Sequence, residues 1–509
     1  MKIRRVLALT LSMVMLIALL AACAGDTAPP PAVVDTPAAD NGAAAADPPV
    51  APADRERIVV FVEGLVDDYV AALQEFYWTP EVLEELNVEL QFRASGVFGT
   101  YSTQMMEFAT GHSEADIILF MPAWMGDFAP HLEPLEPLAV RNNVELHLDD
   151  ILPSVRDVYC SWDGVLLAFP FDVDQHQLYF NLDAFEREEN KADFYAQFGY
   201  ELRPPRTWDE YADMAEFFHG RDWSGSGTPL YGVAEGWGAG GNAYWWFMGR
   251  FAAYGGLYFD ADMNPLINTP NGLAAMENLQ RVSQFAPPGA ANFSYMEVSA
   301  AFNQGQVAMA INWSSLGMSS MDPERSEIVG RVGVTMLPGA YVNGELIQRP
   351  TLPTGWTLGI SRYSSPEVQD AAIKLLGAAA CPDRNRDGAM FNGAIDGFRI
   401  STFDPPDVWA TVWPDYPEYG LAYVNVKWTT LETGLPDLQI PGADEYVQAF
   451  DREISNVILG LTTPQQALEN AEAEWIAITE RRGFETQKAA WLAQYEAIRA
   501  NGITFIPFN

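Results

Sequence analysis

Short β-branched apolar runs alternate with segments of helical periodicity in the first part of the body of this 509-residue chain. Residues 58–62, 88–92 and 115–120 predict three strands, and residues 67–76 and 101–110 predict two helices between them. Continuous apolar strands are typical of a buried parallel sheet that is covered by helices. Ligands of such sheets bind beyond the carboxyl ends of the strands. The pattern therefore predicts an α/β fold with its site at the strand ends.

The N-terminal segment has a different pattern, which is typical of an exported protein. A short basic segment precedes the uncharged apolar residues 6–20. This apolar run is shorter than a membrane span, which needs about 20 apolar residues. The sequence Leu-Ala-Ala-Cys that ends at Cys23 resembles the bacterial lipobox. This resemblance implies a lipoprotein signal peptide over residues 1–22 and a lipid on Cys23. The alternative is an ordinary secretory signal with an incidental cysteine.

Residues 23–56 consist mainly of alanine, proline and small polar residues. Such a segment has too little large apolar surface to offset the entropy of ordering it, so we expect a disordered spacer. The anchor and the spacer together predict a protein that is held by lipid on the extracytoplasmic face of the cell membrane.

Composition narrows the classes of protein and ligand. The hydrophobic fraction of 49% predicts a sizeable core, and the body from residue 57 onward is too long for one simple core. The formal net charge of −39 disfavours nucleic acid and acidic membranes as partners. Cys160 and Cys381 could form one disulfide or remain two thiols. The five histidines are scattered and form no zinc motif, so we expect no metal and no cofactor.

Several segments in the body resemble one family in their order along the chain. A strand pair at residues 162–171 leads into a crossover at 172–181, and a Pro-x-Thr-Trp-Asp-Glu helix start follows at 205–210. Further matching segments lie at 302–309, 355–360 and 463–468. Together they resemble the sugar-binding group of the extracellular solute-binding proteins of ABC importers, which includes maltose-binding proteins.

The resemblance implies an α/β fold of the two-lobe periplasmic-binding-protein type (type II-like), with hinge crossovers and a ligand cleft between the lobes. Carried onto this chain, lobe 1 comprises residues 57–171 and 360–399, and lobe 2 comprises residues 172–359 and 400–509. Closure of the lobes around a ligand is a hinge motion. The apolar spacing after residue 446 predicts helices to about residue 500.

A sugar site needs flat aromatic side chains beneath the ring and polar groups around its rim. Positions after strand ends and at the crossover supply both kinds of residue. The predicted ligand-binding residues are Glu63, Trp124, Asp172, Asp174, Trp237, Trp313, Trp356 and Arg399. For each tryptophan the alternative is a role in the core or at the lobe interface, and for each charged residue it is a surface charge or a local ion pair. Asp116, which precedes a buried strand, is predicted to be structural.

Two acidic segments resemble ligand loops only in part. Residues 383–388 copy the first half of a calcium-binding EF-hand loop, but Ala394 stands where the loop requires a bidentate glutamate. We therefore expect a turn there. Residues 260–265 likewise predict a hairpin turn.

The sequence predicts a non-enzymatic receptor that delivers a carbohydrate, most simply an oligosaccharide, to the membrane subunits of an ABC permease. No nucleophile elbow or phosphate-binding loop is present to suggest catalysis. One alternative is the same fold with a cationic ligand such as a polyamine, which would suit an acidic, aromatic cleft. A second alternative is a glycan-active enzyme or adhesin at the cell surface. We expect a monomer.

Overall fold

The computed structural model describes residues 57–64, 67–94, 96–352, 355–391, 393 and 395–508. The predicted signal peptide (1–22), the predicted lipid attachment at Cys23 and the predicted spacer (23–56) lie outside the described residues. Among the described residues, no helix combines the length and the apolar character that a membrane crossing requires.

Strands are numbered here in chain order. They are β1 Ile58–Gly64, β2 Val88–Ala94, β3 Ile117–Phe120, β4 Ser161–Trp162, β5 Val165–Leu166, β6 Ala168–Asp172, β7 His176–Asn181, β8 Tyr231–Ala234, β9 Val307–Trp313, β10 Val332–Thr335, β11 Ala340–Val342, β12 Glu345–Ile347, β13 Thr351–Leu352, β14 Trp356–Ile360 and β15 Leu435–Pro436.

Helices cover both sheets and make up most of the C-terminal part. The α-helices are Asp67–Ala72, Pro80–Leu86, Val97–Ala109, Met125–Phe128, Leu135–Asn142, Leu182–Glu186, Glu188–Phe198, Trp208–Phe218, Asn242–Ala253, Pro270–Ser283, Tyr295–Asn303, Ser315–Ser320, Pro366–Ala379, Pro382–Phe391, Ile400–Phe403, Pro417–Thr433, Ala443–Ile458, Pro464–Arg482 and Phe484–Ala500. Leu73–Tyr77 and Ser154–Tyr159 are single π-helical segments.

The first sheet has five strands in the order β2-β1-β3-β14-β6. β1 pairs in parallel with β2 and β3, as the apolar runs predict, whereas β14 runs antiparallel to both of its neighbours. Asp116, just before β3, accepts a hydrogen bond from the Phe61 backbone N–H at 2.9 Å and one from Ser364. The prediction that Asp116 is structural is thereby confirmed.

The second sheet has four strands in the order β10-β7-β9-β8, in which only β8 and β9 run parallel. Residues 173–175 connect β6 of the first sheet to β7 of the second. The four Cα–Cα steps from Asp172 to His176 span at most about 14 Å, so the facing edges of the two sheets lie close together at this crossover.

Two details differ from the sequence predictions. The predicted border assigned residues up to 359 to lobe 2, but the apolar strand β14 lies between β3 and β6, so residues 356–359 belong to the first sheet. The prediction of a turn at 383–388 is wrong, because these residues lie in the helix Pro382–Phe391. Asp383 and Arg386 form an ion pair one helical turn apart at 3.0 Å, which suits this helix. The other lobe borders stay predictions.

Two sequence features of the helices are confirmed. The Thr207 hydroxyl accepts a hydrogen bond from the Glu210 backbone N–H at 3.2 Å, so it caps the helix Trp208–Phe218. The three long helices after residue 442 occupy the predicted C-terminal helical region. Cys160 and Cys381 are both free thiols.

Candidate functional site

The functional site candidates lie where the two sheets meet. On the first sheet this edge holds the carboxyl ends of β1, β3 and β6 and the amino end of β14, where Trp356 pairs with Asp172. On the second sheet it holds the amino end of β7 and the carboxyl ends of β8 and β9, where His176 pairs with Trp313. This is the position at which open α/β sheets bind ligands.

Three carboxylates and one ammonium group meet at the crossover. We name Asp172, Asp174, Asp396 and Lys427 the acid–lysine cluster. Each aspartate contributes an oxygen that lies within 4.8 Å of those of the other two. The Asp396 backbone N–H donates to Asp172 Oδ1 at 2.7 Å, and the Tyr69 hydroxyl donates to Asp172 Oδ2 at 3.0 Å. The cluster thus joins the crossover to two distant parts of the chain.

Lys427 is the cation of this cluster. It belongs to the helix Pro417–Thr433, is 1% exposed and forms an ion pair with Asp396. Its Nζ lies 4.9 Å from the centroid of the Tyr423 ring, close enough for a cation–π contact. Ser314, directly after β9, donates a hydrogen bond from Oγ to Asp396. Asp396 is therefore bonded both to the helix and to the end of the second sheet.

Burial and mutual repulsion change the protonation of the two crossover aspartates. Burial, followed by the charges of Asp174 and Asp396, raises the pKa of Asp172 well above its ordinary value. Burial, followed by the charge of Asp396, raises the pKa of Asp174 to about 8, although Lys427 acts in the opposite direction. Near neutral pH the Asp174 carboxyl group therefore retains a proton and can donate as well as accept hydrogen bonds.

Aromatic side chains line the second-sheet side of the site. The Trp313 ring stacks on the His176 ring, with centroids 3.9 Å apart, and contacts Trp246 at 5.0 Å and Trp245 at 6.5 Å. We name these four residues the tryptophan–histidine group. The Trp245 indole N–H donates to Asp437 Oδ2 at 3.4 Å. Burial raises the pKa of Asp437 to about 7.

A smaller aromatic set lies on the first-sheet side. The Trp356 ring is 6.1 Å from the Trp124 ring and 6.0 Å from the Tyr69 ring. Tyr69 is also the hydroxyl donor to Asp172, so this aromatic set adjoins the acid–lysine cluster. Both sheets thus present tryptophan beside carboxyl groups.

The start of β7 carries buried polar atoms without partners. Within the described part of the chain, the side-chain oxygen and nitrogen of Gln175, both ring nitrogens of His176 and Nε2 of Gln177 make no hydrogen bond. All three residues are fully buried. Burial lowers the pKa of His176 well below its ordinary value, so its ring is neutral. Buried polar atoms are rarely left unpaired, which marks this segment as one where a ligand or water would supply partners.

The structure brings together five of the predicted site residues. Asp172 and Asp174 lie in the acid–lysine cluster, Trp313 lies in the tryptophan–histidine group, and Trp124 and Trp356 adjoin the acid–lysine cluster on the first-sheet side. Whether these residues contact a ligand stays a prediction.

Of the other three predicted residues, Glu63 and Arg399 have partners elsewhere in the protein, and Trp237 is buried. Glu63 is buried and forms an ion pair with Arg93 inside the first lobe. The Arg399 guanidinium donates to the His147 carbonyl at 2.9 Å and pairs with Asp150 at 3.7 Å. Trp237 is 1% exposed in the loop after β8. Its ligand role, like those of Glu63 and Arg399, stays a prediction.

Asp396, Lys427 and Tyr69 are not among the site residues predicted from the sequence. Asp396 lies three residues before the predicted Arg399, in a loop without a recognisable motif. Lys427 had a readable signal, because Tyr423 and Thr430 are spaced to share its helix face, and a lysine on an apolar helix face is unusual.

The family of the chain follows from comparison with known proteins. A family model described as bacterial extracellular solute-binding protein matches residues 67–383. The chain belongs to this family. A mannitol-binding protein of Pseudomonas aeruginosa is 28% identical over 362 residues, which are 69% of this chain and 77% of that protein. A probable amino-acid ABC transporter periplasmic-binding protein of Sinorhizobium fredii is 21% identical over 75% of this chain and 81% of its own length.

Solved solute-binding proteins share the fold. A ribitol complex from Agrobacterium radiobacter K84 has a TM-score of 0.68 and 22% identity, and covers 83% of this chain and 98% of its own. Maltose-bound MalE3 of T. maritima has a TM-score of 0.66 and 21% identity, and covers 83% and 100%. The two-lobe α/β prediction is confirmed, and this family member is a solute-binding component of an ABC transporter.

Proposed function

We propose that this solute-binding protein captures an uncharged polyhydroxylated solute, a carbohydrate or polyol, between its two sheets. The observation that carries this proposal is the adjacency of the acid–lysine cluster and the tryptophan–histidine group. Ser314 bonds to Asp396, and its chain neighbour Trp313 stacks on His176. One ligand could therefore contact both groups.

The chemistry of the two groups suits a sugar. Hydroxyl groups both donate and accept hydrogen bonds, and so do carboxyl groups that retain a proton near neutral pH, as the raised pKa of Asp174 allows. Tryptophan rings pack on the flat C–H faces of a sugar ring. The unpaired atoms of Gln175 and Gln177 add further donors and acceptors.

The spacing bears on ligand size. Asp174 lies two residues before His176, and two residues of extended chain span about 7 Å. That distance suits one or two sugar rings. Relatives named for mannitol, ribitol and maltose support a ligand in this size range. A longer oligosaccharide would have to extend beyond these two groups.

Calorimetry of the purified protein against mannitol, ribitol, maltose and longer maltosaccharides tests the proposal. We expect binding of at least one of them, and weaker binding by the Asp174→Asn variant. The Lys488→Met variant is the control, because Lys488 pairs with Asp262 at the surface. Absence of binding to every polyhydroxylated ligand would contradict the proposal, and hydrolysis of a bound oligosaccharide would contradict a role in binding alone.

A cationic ligand is the second candidate, because three carboxylates face a single ammonium group. A polyamine that binds ionised carboxylates must displace the proton that Asp174 holds at pH 7, since the pKa of Asp174 is raised to about 8. Spermidine titrations at pH 7 in buffers of different ionisation enthalpy would then show proton release. A neutral sugar should release few or no protons.

We also propose that Cys23 carries a lipid that holds the receptor near its permease, as the lipobox resemblance implies. Such tethering raises the effective concentration of the receptor at the membrane. The Cys23→Ala variant should move from the membrane fraction to the soluble fraction of expressing bacteria. An unchanged membrane fraction would contradict the anchor.

A further inference from the structure

The three aspartates of the acid–lysine cluster have the spacing of ligands around one hard cation. Calcium binds carboxylate oxygens at about 2.3–2.6 Å, so oxygens on opposite sides of the ion lie about 5 Å apart. The oxygens of Asp172, Asp174 and Asp396 all lie within 4.8 Å of one another. Without an ammonium group among them, these residues would form an acidic pocket suited to a cation.

Lys427 supplies that ammonium group from a separate element. Its side chain is almost fully buried and pairs with Asp396, while Tyr423 and Trp409 pack against the ammonium at 4.9 and 5.7 Å from their ring centroids. Its Nζ also lies 3.4 Å from the Tyr423 hydroxyl oxygen. The ammonium is thus fixed in the cluster by the helix Pro417–Thr433 rather than by the sheets.

We propose that Lys427 acts as a built-in cation that excludes solute cations from the three aspartates and restricts the site to uncharged ligands. This inference rests on the proposed function, because it specifies which class of solute the same site accepts. Lys427 is then a specificity-determining residue.

The physical reason is competition between a tethered cation and free cations. The ammonium is part of the chain and loses no translational freedom when it occupies the cluster, whereas a free ion or polyamine does. A second cation in the cluster would also lie within a few ångströms of the ammonium, where like charges repel strongly in a poorly solvated site. The native cluster should therefore reject cations and accept hydroxyl groups.

The decisive variant is Lys427→Met, which keeps much of the length of the side chain but removes its charge. Calorimetry and thermal unfolding are measured with CaCl₂ and, separately, with spermidine, both at pH 8.5, above the pKa of about 8 of Asp174, because a carboxyl group must lose its proton to bind a cation. We expect the variant to gain calcium binding with a Kd of about 10⁻⁴ to 10⁻³ M, the range of weak extracellular sites. The wild type and the Lys488→Met control should show no binding at these concentrations. Adding Asp174→Asn to Lys427→Met should remove the gained binding.

Each outcome decides the proposal. If Lys427→Met unfolds in buffer, calcium should restore folding, and failure to restore it would overturn the proposal. A folded variant that binds neither cation would also overturn it, as would a wild type that binds calcium or spermidine in a manner abolished by Asp174→Asn. No sugar is used in these measurements. A wild type that binds no sugar, together with a variant that gains cation binding, would contradict the proposed function and leave the exclusion of cations supported.

Discussion

Two buried groups of charged residues in this protein have opposite character. In the second lobe, Glu235 follows β8 and Arg250 lies in the helix Asn242–Ala253, and both are fully buried. The Arg250 guanidinium donates to both Glu235 oxygens, at 2.9 and 2.5 Å, and also to Asn278 at 3.1 Å. The Tyr211 hydroxyl donates to Glu235 at 3.0 Å. This pair balances its charges, and each guanidinium nitrogen and each carboxylate oxygen has a hydrogen-bond partner.

The acid–lysine cluster is not balanced in this way. It contains three carboxyl groups for one ammonium, and the pKa values of Asp172 and Asp174 are raised, in part by neighbouring carboxylates. A closed, charge-balanced pair offers nothing to a ligand, whereas a cluster with spare hydrogen-bonding capacity does. The contrast distinguishes a charged group that stabilises a lobe from one that can bind a solute.

The largest expected effect comes from breaking the balanced pair. Arg250→Met would leave Glu235 buried without its cation, so we expect a loss of about 3–5 kcal/mol of unfolding free energy, measured by urea denaturation. Arg281→Met is the control, because Arg281 is partly exposed where it pairs with Asp213 and Glu216, and exposed pairs contribute about 1 kcal/mol or less. Equal losses in the two variants would contradict the comparison.

The same contrast shows what could be predicted from the sequence. Local patterns determine strands and helix caps, so β1, β2, β3 and the Thr207 cap follow from apolar runs and short-range spacing. Asp172 and Asp174 could be predicted because the family resemblance implies that the crossover on which they lie lines the cleft. These features depend on residues that are close in the chain.

The partners of the site residues could not be predicted in this way. Asp172 bonds to Asp396 across 224 positions, and Glu63 pairs with Arg93, which lies on the neighbouring strand. A buried charge looks the same in the sequence whether its partner is a side chain of the protein or a ligand. Glu63 is a predicted site residue because it follows the first strand, and Arg399 because the family resemblance places it near the cleft, but the structure shows internal partners for both.

The next largest expected effect is on ligand affinity and concerns closure of the lobes. Ligand binding at the acid–lysine cluster should depend on this closure, whereas the Glu235–Arg250 pair should not be affected by it. Gly126 follows β3, and a Cβ at this position would lie 2.5 Å from the Gln439 carbonyl oxygen and 2.6 Å from the Pro441 nitrogen. The adjacent Asp127 accepts a hydrogen bond from the Gly442 N–H at 2.9 Å. The helix that begins at Ala443 packs on the second lobe through contacts such as Phe450 on Phe247.

Gly126→Ala should therefore separate the two lobes slightly, because backbone atoms cannot yield as a flexible side chain can. We expect ligand affinity to fall about tenfold, a change of about 1.4 kcal/mol, in calorimetry. Gly393→Ala is the matched control, because among the described residues a Cβ there meets only Met318, at an ordinary 3.8 Å. An unchanged affinity in Gly126→Ala would show that this contact does not limit closure.

The unbalanced cluster should also make stability depend on pH. Asp174 has a pKa of about 8 when folded and an ordinary value near 4 when unfolded, so between these values the folded state holds a proton that the unfolded state has lost. This carboxyl group therefore makes the protein less stable as pH rises from about 4 to 8. Asp174→Asn should reduce that slope by up to about 1.4 kcal/mol per pH unit, measured by urea denaturation at several pH values.

Asp262→Asn serves as the control for this pH series. Asp262 lies at the surface, and its hydrogen bond from Lys488 lowers its pKa, so its titration lies below pH 4. Its replacement should leave the slope between pH 5 and 8 unchanged. A slope that is the same in the wild type and in Asp174→Asn would show that the crossover carboxyl group is ionised throughout this range.

The smallest expected effect is on sugar affinity and distinguishes two tryptophans that could pack against the sugar ring. Trp313 is 9% exposed at the end of β9, beside Ser314, whereas Trp237 is 1% exposed. If Trp313 contacts the ligand, Trp313→Ala should weaken sugar binding by about 1 kcal/mol, or roughly fivefold, while Trp237→Ala should act mainly on thermal stability. Trp237 is also one of the predicted ligand-binding residues, so a loss of affinity confined to folded Trp237→Ala would move the platform to the end of β8. Such a result would place the sugar beside Glu235 and would end the separation between the balanced pair and the binding site.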